Sequence, residues 1–345
     1  MQHLCKNMIE LLGYDTLKTT KNLLAFSGGV DSSALFFLLL KHNISFDMAF
    51  VNYHTRPESC LEQDYALTLA EQYQKRIFIH SSPCIVYNFE HEARRVRYKF
   101  FEQIIQKEGY ESLILAHQLN DRLEWLLMSV LRGGGLSSLI GANFLEKRGL
   151  KTSYFLVRPL LHTPKSVLYS FLQDNNHHFF EDESNNDKKY KRNQIRQILP
   201  QSLIDAHVKP IVQSFQILQE ECRVLYPFTF HIQEELIFFL MDGDLQNLQA
   251  ITKACKILGY VPSLKQREEI LKQSFEGVIG GEIAVGIFRN HILVSPFKKY
   301  HIQHSLREHR KFKERMRTLK IPLHIRPYLS HFPHLLNSLD TISLD

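Results

Sequence analysis

Short apolar runs alternate with longer amphipathic stretches over the first 150 residues. Residues 22–26 form an apolar run that stops at Ser27-Gly28-Gly29, which predicts a buried strand entering a tight turn. The proline-free apolar stretch 32–42 predicts a helix. Strands are then predicted at 46–53, 76–80 and 112–116, and helices at 61–75, 89–108 and 119–132. Strand followed by helix, repeated, implies βαβ units around a parallel sheet. The ligand crevice of such a sheet lies at the carboxyl ends of its strands. Ser27-Gly28-Gly29, residues 52–56 and residues 117–121 each follow a predicted strand end, so three segments converge on one crevice.

Beyond Gly149 the rhythm changes. An extended piece at 155–161 ends in Arg158-Pro159-Leu160-Leu161. Thr163-Pro164 then opens a helix through Leu172, with the threonine expected as its cap. Residues 181–191 form a charge-dense loop. Helices are predicted at 203–225, 245–258 and 265–273, and a hairpin from 282–286 with 291–294. The division predicted is a catalytic α/β domain over residues 1–210 and a mostly helical α+β domain over 211–345. A length of 345 residues suits two domains at roughly 150 residues each.

Composition excludes several classes. Apolar residues make up 44% and charged residues 23%, as in a globular chain. The longest apolar run, Ala34 to Leu40, is far short of the roughly 20 residues a membrane helix needs, so no membrane partner is expected. The N-terminus lacks the pattern of a secretory signal. The five cysteines, Cys5, Cys60, Cys84, Cys222 and Cys255, are scattered without a CxxC pair. That disfavours a zinc ribbon or redox dithiol and points to the cytoplasm. Net charge is +6, and ten basic residues between Lys298 and Arg326 against Glu308 and Glu314 concentrate it near the C-terminus. Such a segment is either a solvated basic face or a seat for an anionic polymer.

Candidate chemistry centres on Ser27-Gly28-Gly29-Val30-Asp31-Ser32-Ser33. Two glycines let backbone N–H groups approach an anion, and three hydroxyls add donors. The next helix points its positive end at the same spot. Asp31 would repel bare phosphate, so a bridging cation, Mg²⁺, is expected with it. No GxxxxGK[ST] occurs, which excludes a kinase-type P-loop.

This run resembles the PP-loop of the ATP pyrophosphatases, which split ATP between the α- and β-phosphates. Further motifs resemble the tRNA(Ile)-lysidine synthetase family. They are Ala93-Arg94-Arg95-Val96-Arg97-Tyr98, Ala116-His117 with Asp121-Arg122-Leu123-Glu124, Arg132 to Leu136, Arg158 to Leu161, and Glu181 to Asn185 followed by Arg192-Asn193-Gln194-Ile195-Arg196. The family's paired aspartates stand here as Asn120-Asp121, its glutamine as Arg122 and its threonine as Trp125. Tyr53 replaces an expected histidine.

The resemblance implies a PP-loop (adenine nucleotide alpha hydrolase-like) fold, ATP and Mg²⁺ as cofactors, and free L-lysine and CAU-anticodon tRNA(Ile) as substrates. Ser27 to Ser33 and His117 would bind ATP, and Asp31, Asp121 and Arg192 would be catalytic. Asp31 and Asp121 would hold the metal, while Asp121 and Glu124 would face lysine. Arg94, Arg97, Arg192, Asn193, Arg196, Arg310, Lys311, Lys313 and Arg315 would contact tRNA. Trp125 is expected in the core. Oligomeric state stays open, a homodimer included. The alternatives are another PP-loop tRNA-modifying or ligase enzyme, or a non-catalytic RNA-binding relative.

Overall fold

The structure, a computed structural model, describes residues 9–55, 58–85, 87–150, 152–181, 191–297 and 306–340. Of residues 191–193, 197, 306–309, 338 and 340 it describes the backbone alone. The chain divides into one unit of residues 1–148 with 152–220 and another of 149–151 with 221–345, the division falling within the last helix of the first unit.

The first unit runs α1 (Tyr14–Thr19), β1 (Asn22–Phe26), α2 (Val30–Lys41), β2 (Phe46–Asn52), α3 (Glu58–Gln72), β3 (Ile77–Ser81), α4 (Phe89–Glu108), β4 (Ser112–Ile114), α5 (Leu119–Val130), α6 (Leu136–Leu139), β5 (Leu145–Arg148), β6 (Tyr154–Val157), α7 (Lys165–Asp174), α8 (Lys191–Ile198), α9 (Gln201–Ala206) and α10 (Val208–Leu225). Its sheet has the order β3-β2-β1-β4-β6-β5, parallel except for β5. Side chains alternate across the pleat. Leu24, Met48, Phe50, Ile114 and Val157 pack with α2, α3 and α7. Their neighbours Leu23, Ala49, Leu113 and Leu156 pack with Phe101, Ile104 and Ile105 of α4. With helices on both faces, the central strands read as continuous apolar runs. Helix α2 is buried from Ser32 to Leu39, which is why it has no polar face.

Tertiary context revises three expectations. The helix predicted at 203–225 is broken at His207 into α9 and α10. Pro210 lacks an N–H and is tolerated only in a first turn, so α10 begins beside it. Thr163 does not cap α7. The N-cap is Pro164, and the N–H of Lys165 is accepted by Asn120 Oδ1 at 3.1 Å. Trp125 is 48% exposed, with its Nε1–H donating to Ser138 O at 2.9 Å, so it is not a core residue.

The second unit contains β7 (His231–Gln233), β8 (Leu236–Leu240), α11 (Asp244–Ile257), α12 (Leu264–Lys272), β9 (Gly277–Ile279), β10 (Ile283–Phe288), β11 (His291–Pro296), α13 (Leu306–Thr318), α14 (Arg326–His331) and α15 (Leu335–Asp340). Its antiparallel sheet has the order β7-β8-β11-β10-β9. Ile237, Phe239, Val285 and Val294 face α11 and α12. Leu236, Phe238, Ala284 and Leu293 face Met316, Ile325, Leu329 and Leu336 of the C-terminal helical segment. The predicted hairpin is β10–β11. None of the described helices is long and apolar enough to cross a membrane.

Candidate active site

The turn after β1 takes the shape its glycines predict. Gly28 has φ +80°, a left-handed conformation that costs a side-chain-bearing residue energy. Gly29 caps α2 in an extended conformation without side-chain help, so the first-turn N–H groups face the turn. The serines brace this turn. Ser32 Oγ lies 3.1 Å from Ser27 Oγ and donates to Gly29 O, also at 3.1 Å. Ser33 Oγ donates to Gly28 O at 3.2 Å. Ser27 is exposed at the mouth, Ser32 and Ser33 are buried, and Asp31 is half-buried in the first turn of α2 beside Val30. The hydroxyls therefore fix the loop as much as they offer donors.

At the end of β2, Asn52 accepts from the His54 N–H at 2.9 Å and donates to Gln63 on α3 at 3.0 Å. Tyr53 Oη donates to Ala93 O of α4 at 3.0 Å. Arg56 lies outside the described residues.

After β4, His117 is half-buried and Gln118 opens α5 with a reciprocal cap. The Asp121 carboxylate accepts from the Gln118 N–H at 3.1 Å, while Gln118 Oε1 accepts from the Asn120 N–H. Asp121 thereby orients the segment that presents His117. Asn120 uses both ends of its amide, accepting from Lys165 N and donating Nδ2–H to Gln201 Oε1 at 2.7 Å. An aspartate could make only the first bond. Glu124 is buried and accepts from Arg196 Nε at 2.6 Å, which brings the motif on α8 onto α5. The side chains of Arg192 and Asn193, and all of residues 182–190, lie outside what is described.

The arginines of α4 separate as helical geometry requires. Arg95 turns to Glu92 with a 2.7 Å ion pair, while Arg94 stacks over Tyr98 at 4.8 Å. Arg97 is half-buried. Arg94 is exposed, with the guanidinium groups of Arg97, Arg148 and Arg158 nearby, an electropositive setting. Arg158 itself is buried, donating to Asn143 O at 2.6 Å and Glu146 Oε1 at 2.8 Å. In the second unit, Arg310, Lys311, Lys313 and Arg315 are exposed on α13, with Met316 and Phe312 turned to the core.

Two features escaped the linear reading. Arg122, buried to 3% exposure, lays its guanidinium 4.0 Å from the centre of the Phe215 ring, and burial pulls its pKa down to about 10. Phe180 sits against Gly28, across more than 150 residues of sequence. The only linear signal for it is the aromatic pair Phe179-Phe180 ahead of the acidic run.

A doubly covered parallel sheet with a serine-braced glycine turn at the end of its first strand defines a nucleotide-binding domain of the PP-loop class. Residues 1–203 match the PP-loop domain family. The chain is 44% identical over 323 residues to a tRNA(Ile)-lysidine synthase of Wolinella succinogenes, covering 93% of this chain and 96% of that protein. It is 42% identical to one of Helicobacter pylori over 91% of each chain. The chain belongs to the tRNA(Ile)-lysidine synthase family and is an ATP-using ligase. Among solved structures, a U34-tRNA thiolase of Methanococcus maripaludis shares the fold, with a TM-score of 0.50 and 19% identity over 61% of this chain and 75% of that one.

Proposed function

We propose that this chain joins free L-lysine to C2 of the wobble cytidine in the CAU anticodon of tRNA(Ile), at the expense of ATP. The observation that carries this reading is the braced turn of Ser27 to Ser33, on a chain 44% identical to a lysidine synthase over almost its whole length.

The chemistry has two steps. The cytosine C2 oxygen attacks the α-phosphate of ATP, and pyrophosphate leaves toward the backbone N–H groups of residues 27–33 and the exposed Ser27 hydroxyl. The neutral ε-amine of lysine then adds at C2, the C2–O bond breaks, and AMP departs with that oxygen. The amine's surplus proton passes to a base, for which Asp121 is the candidate carboxylate. Positioning and charge stabilisation dominate such transfers. His117 is assigned to the nucleotide. Asp121 on α5 is the carboxylate assigned to the lysine ammonium, because Glu124, one turn on, is buried and already paired with Arg196.

Among the described residues no three His, Cys, Asp or Glu side chains form a metal cage. Mg²⁺ is held by one or two carboxylates together with substrate phosphates and water. Asp31, with Asp121, would hold it, and the ion would supply charge neutralisation at the diphosphate.

The wobble base must leave its stack to react, as splayed bases do in RNA recognition. Arg94, Arg97, Arg192, Asn193 and Arg196 are assigned to tRNA near the site, and α13 to its phosphates. The deciding assay is AMP release from ATP with unmodified tRNA(Ile), with and without lysine. Lysine-dependent AMP release is expected. Release that ignores lysine would reassign the chain to another PP-loop activity, and none at all would leave an RNA-binding relative.

A further inference from the structure

The segment following α7 is bound to the glycine turn at several points. The Phe180 N–H donates to Gly28 O at 2.9 Å, and Phe180 forms an isolated parallel bridge with Gly29. The Phe180 ring covers the Cα of Gly28, its Cδ2 standing 3.5 Å from where a Cβ would be. Behind it, Tyr65 of α3 meets the rings of Phe180 and His178 edge-on, at 5.7 and 5.0 Å. The Tyr65 hydroxyl donates to His178 O at 2.5 Å. His177 stacks flat on Phe37 of α2 at 3.5 Å, and Tyr169 Oη donates to Glu181 at 3.2 Å.

These contacts have a direction. A left-handed glycine turn has alternative conformations of similar energy, so something outside it must select one. Here the selection comes from residues 177–181, whose continuation carries the acidic run and then Arg196, paired with Glu124.

We propose that Phe180, backed by Tyr65, is a positioning residue for the nucleotide: it holds the Gly28–Gly29 turn in its anion-binding shape. The inference rests on the turn being the ATP seat. Phe180 acts through the glycine turn it packs on, so its removal acts on ATP affinity ahead of lysine affinity.

The test compares full-length wild type with Phe180→Ala, Phe180→Tyr and Tyr65→Phe. The readouts are Kd for ATP with Mg²⁺ in the absence of tRNA, KM for ATP and for lysine, and melting temperature. Phe180→Ala should raise the ATP Kd and KM about tenfold with the lysine KM within about twofold, and Phe180→Tyr should restore them. Tyr65→Phe, which deletes one hydroxyl, should weaken ATP about threefold, and it decides the matter if Phe180→Ala does not fold. Unchanged ATP affinity in a folded variant, or equal losses for ATP and lysine, would overturn the positioning role while leaving the enzyme intact. A wild-type chain that fails to bind ATP would instead remove the functional reading and this inference with it.

Discussion

Arg196 Nε donates to the Glu124 carboxylate at 2.6 Å, so a residue of α8 neutralises a buried acid on α5 that lies 72 positions earlier in the chain. The Glu124 side chain is 5% exposed and that of Arg196 is 30%. Removing the arginine strands a desolvated carboxylate. Arg196→Ala should cost about 2–3 kcal/mol in urea unfolding, with Glu124→Gln less costly because the charge it leaves, on Arg196, is the more exposed of the two. Equal stabilities for wild type and Arg196→Ala would show that solvent already screens the pair.

Asn120 stands where the family has an aspartate, and its amide joins three helices. Asn120→Asp keeps the acceptor for Lys165 N but loses the donor to Gln201. A loss of about 1–2 kcal/mol is expected in thermal or chemical denaturation. A more stable variant would mean that Gln201 turns its own amide to donate to the new carboxylate.

Gly28 adopts φ +80° with room for a methyl group at ordinary contact distance from Phe180. Gly28→Ala therefore suffers backbone strain rather than a clash. About 1–2 kcal/mol of stability should be lost, together with at least about tenfold in ATP affinity as the turn reshapes. Isothermal titration with ATP and Mg²⁺ checks this, and unaltered binding would move the nucleotide away from the turn.

His177 lies flat on Phe37, and burial lowers its pKa below the ordinary 6.5. Burial also lowers the pKa values of His162 and His291. The folded chain thus prefers neutral rings that the unfolded chain protonates near 6.5. Their contribution to stability is complete above that pH and is lost as pH falls through 6.5 toward the lower folded values. The melting temperature should drop between pH 7.5 and 5.5, and His177→Phe should shrink the drop. A pH-independent difference between the two proteins would exclude His177 as a contributor.

Helix α13 carries Arg310, Lys311, Lys313 and Arg315 on exposed positions, with Arg315 also donating to Asn337 at 2.9 Å. If the four meet tRNA phosphates, their replacement by glutamine should weaken binding. It should also flatten the plot of log affinity against log salt by about 0.7–0.9 for each phosphate that is no longer neutralised. Filter binding at several salt concentrations measures the slope, and an unchanged slope would make this a solvated face.

Local pattern determined a good deal of this protein. The apolar run before Ser27-Gly28-Gly29, the strand–helix alternation and the β10–β11 hairpin were legible because burial of a strand or a helix face leaves a periodic trace in neighbouring positions. The glycine turn was legible because its conformation is a local backbone property. Edge strand β5, with the sequence Leu-Glu-Lys-Arg, left no such trace, since an edge can be charged. What only the tertiary structure decided is which partners the site residues meet. That Asn120 caps α7, that Asp121 caps its own helix while Glu124 meets Arg196, and that Phe180 covers Gly28 all depend on chain segments brought together by the sheet. A side chain's periodicity reports whether it is buried. Its partner is set by packing between elements distant in sequence, which no linear pattern encodes.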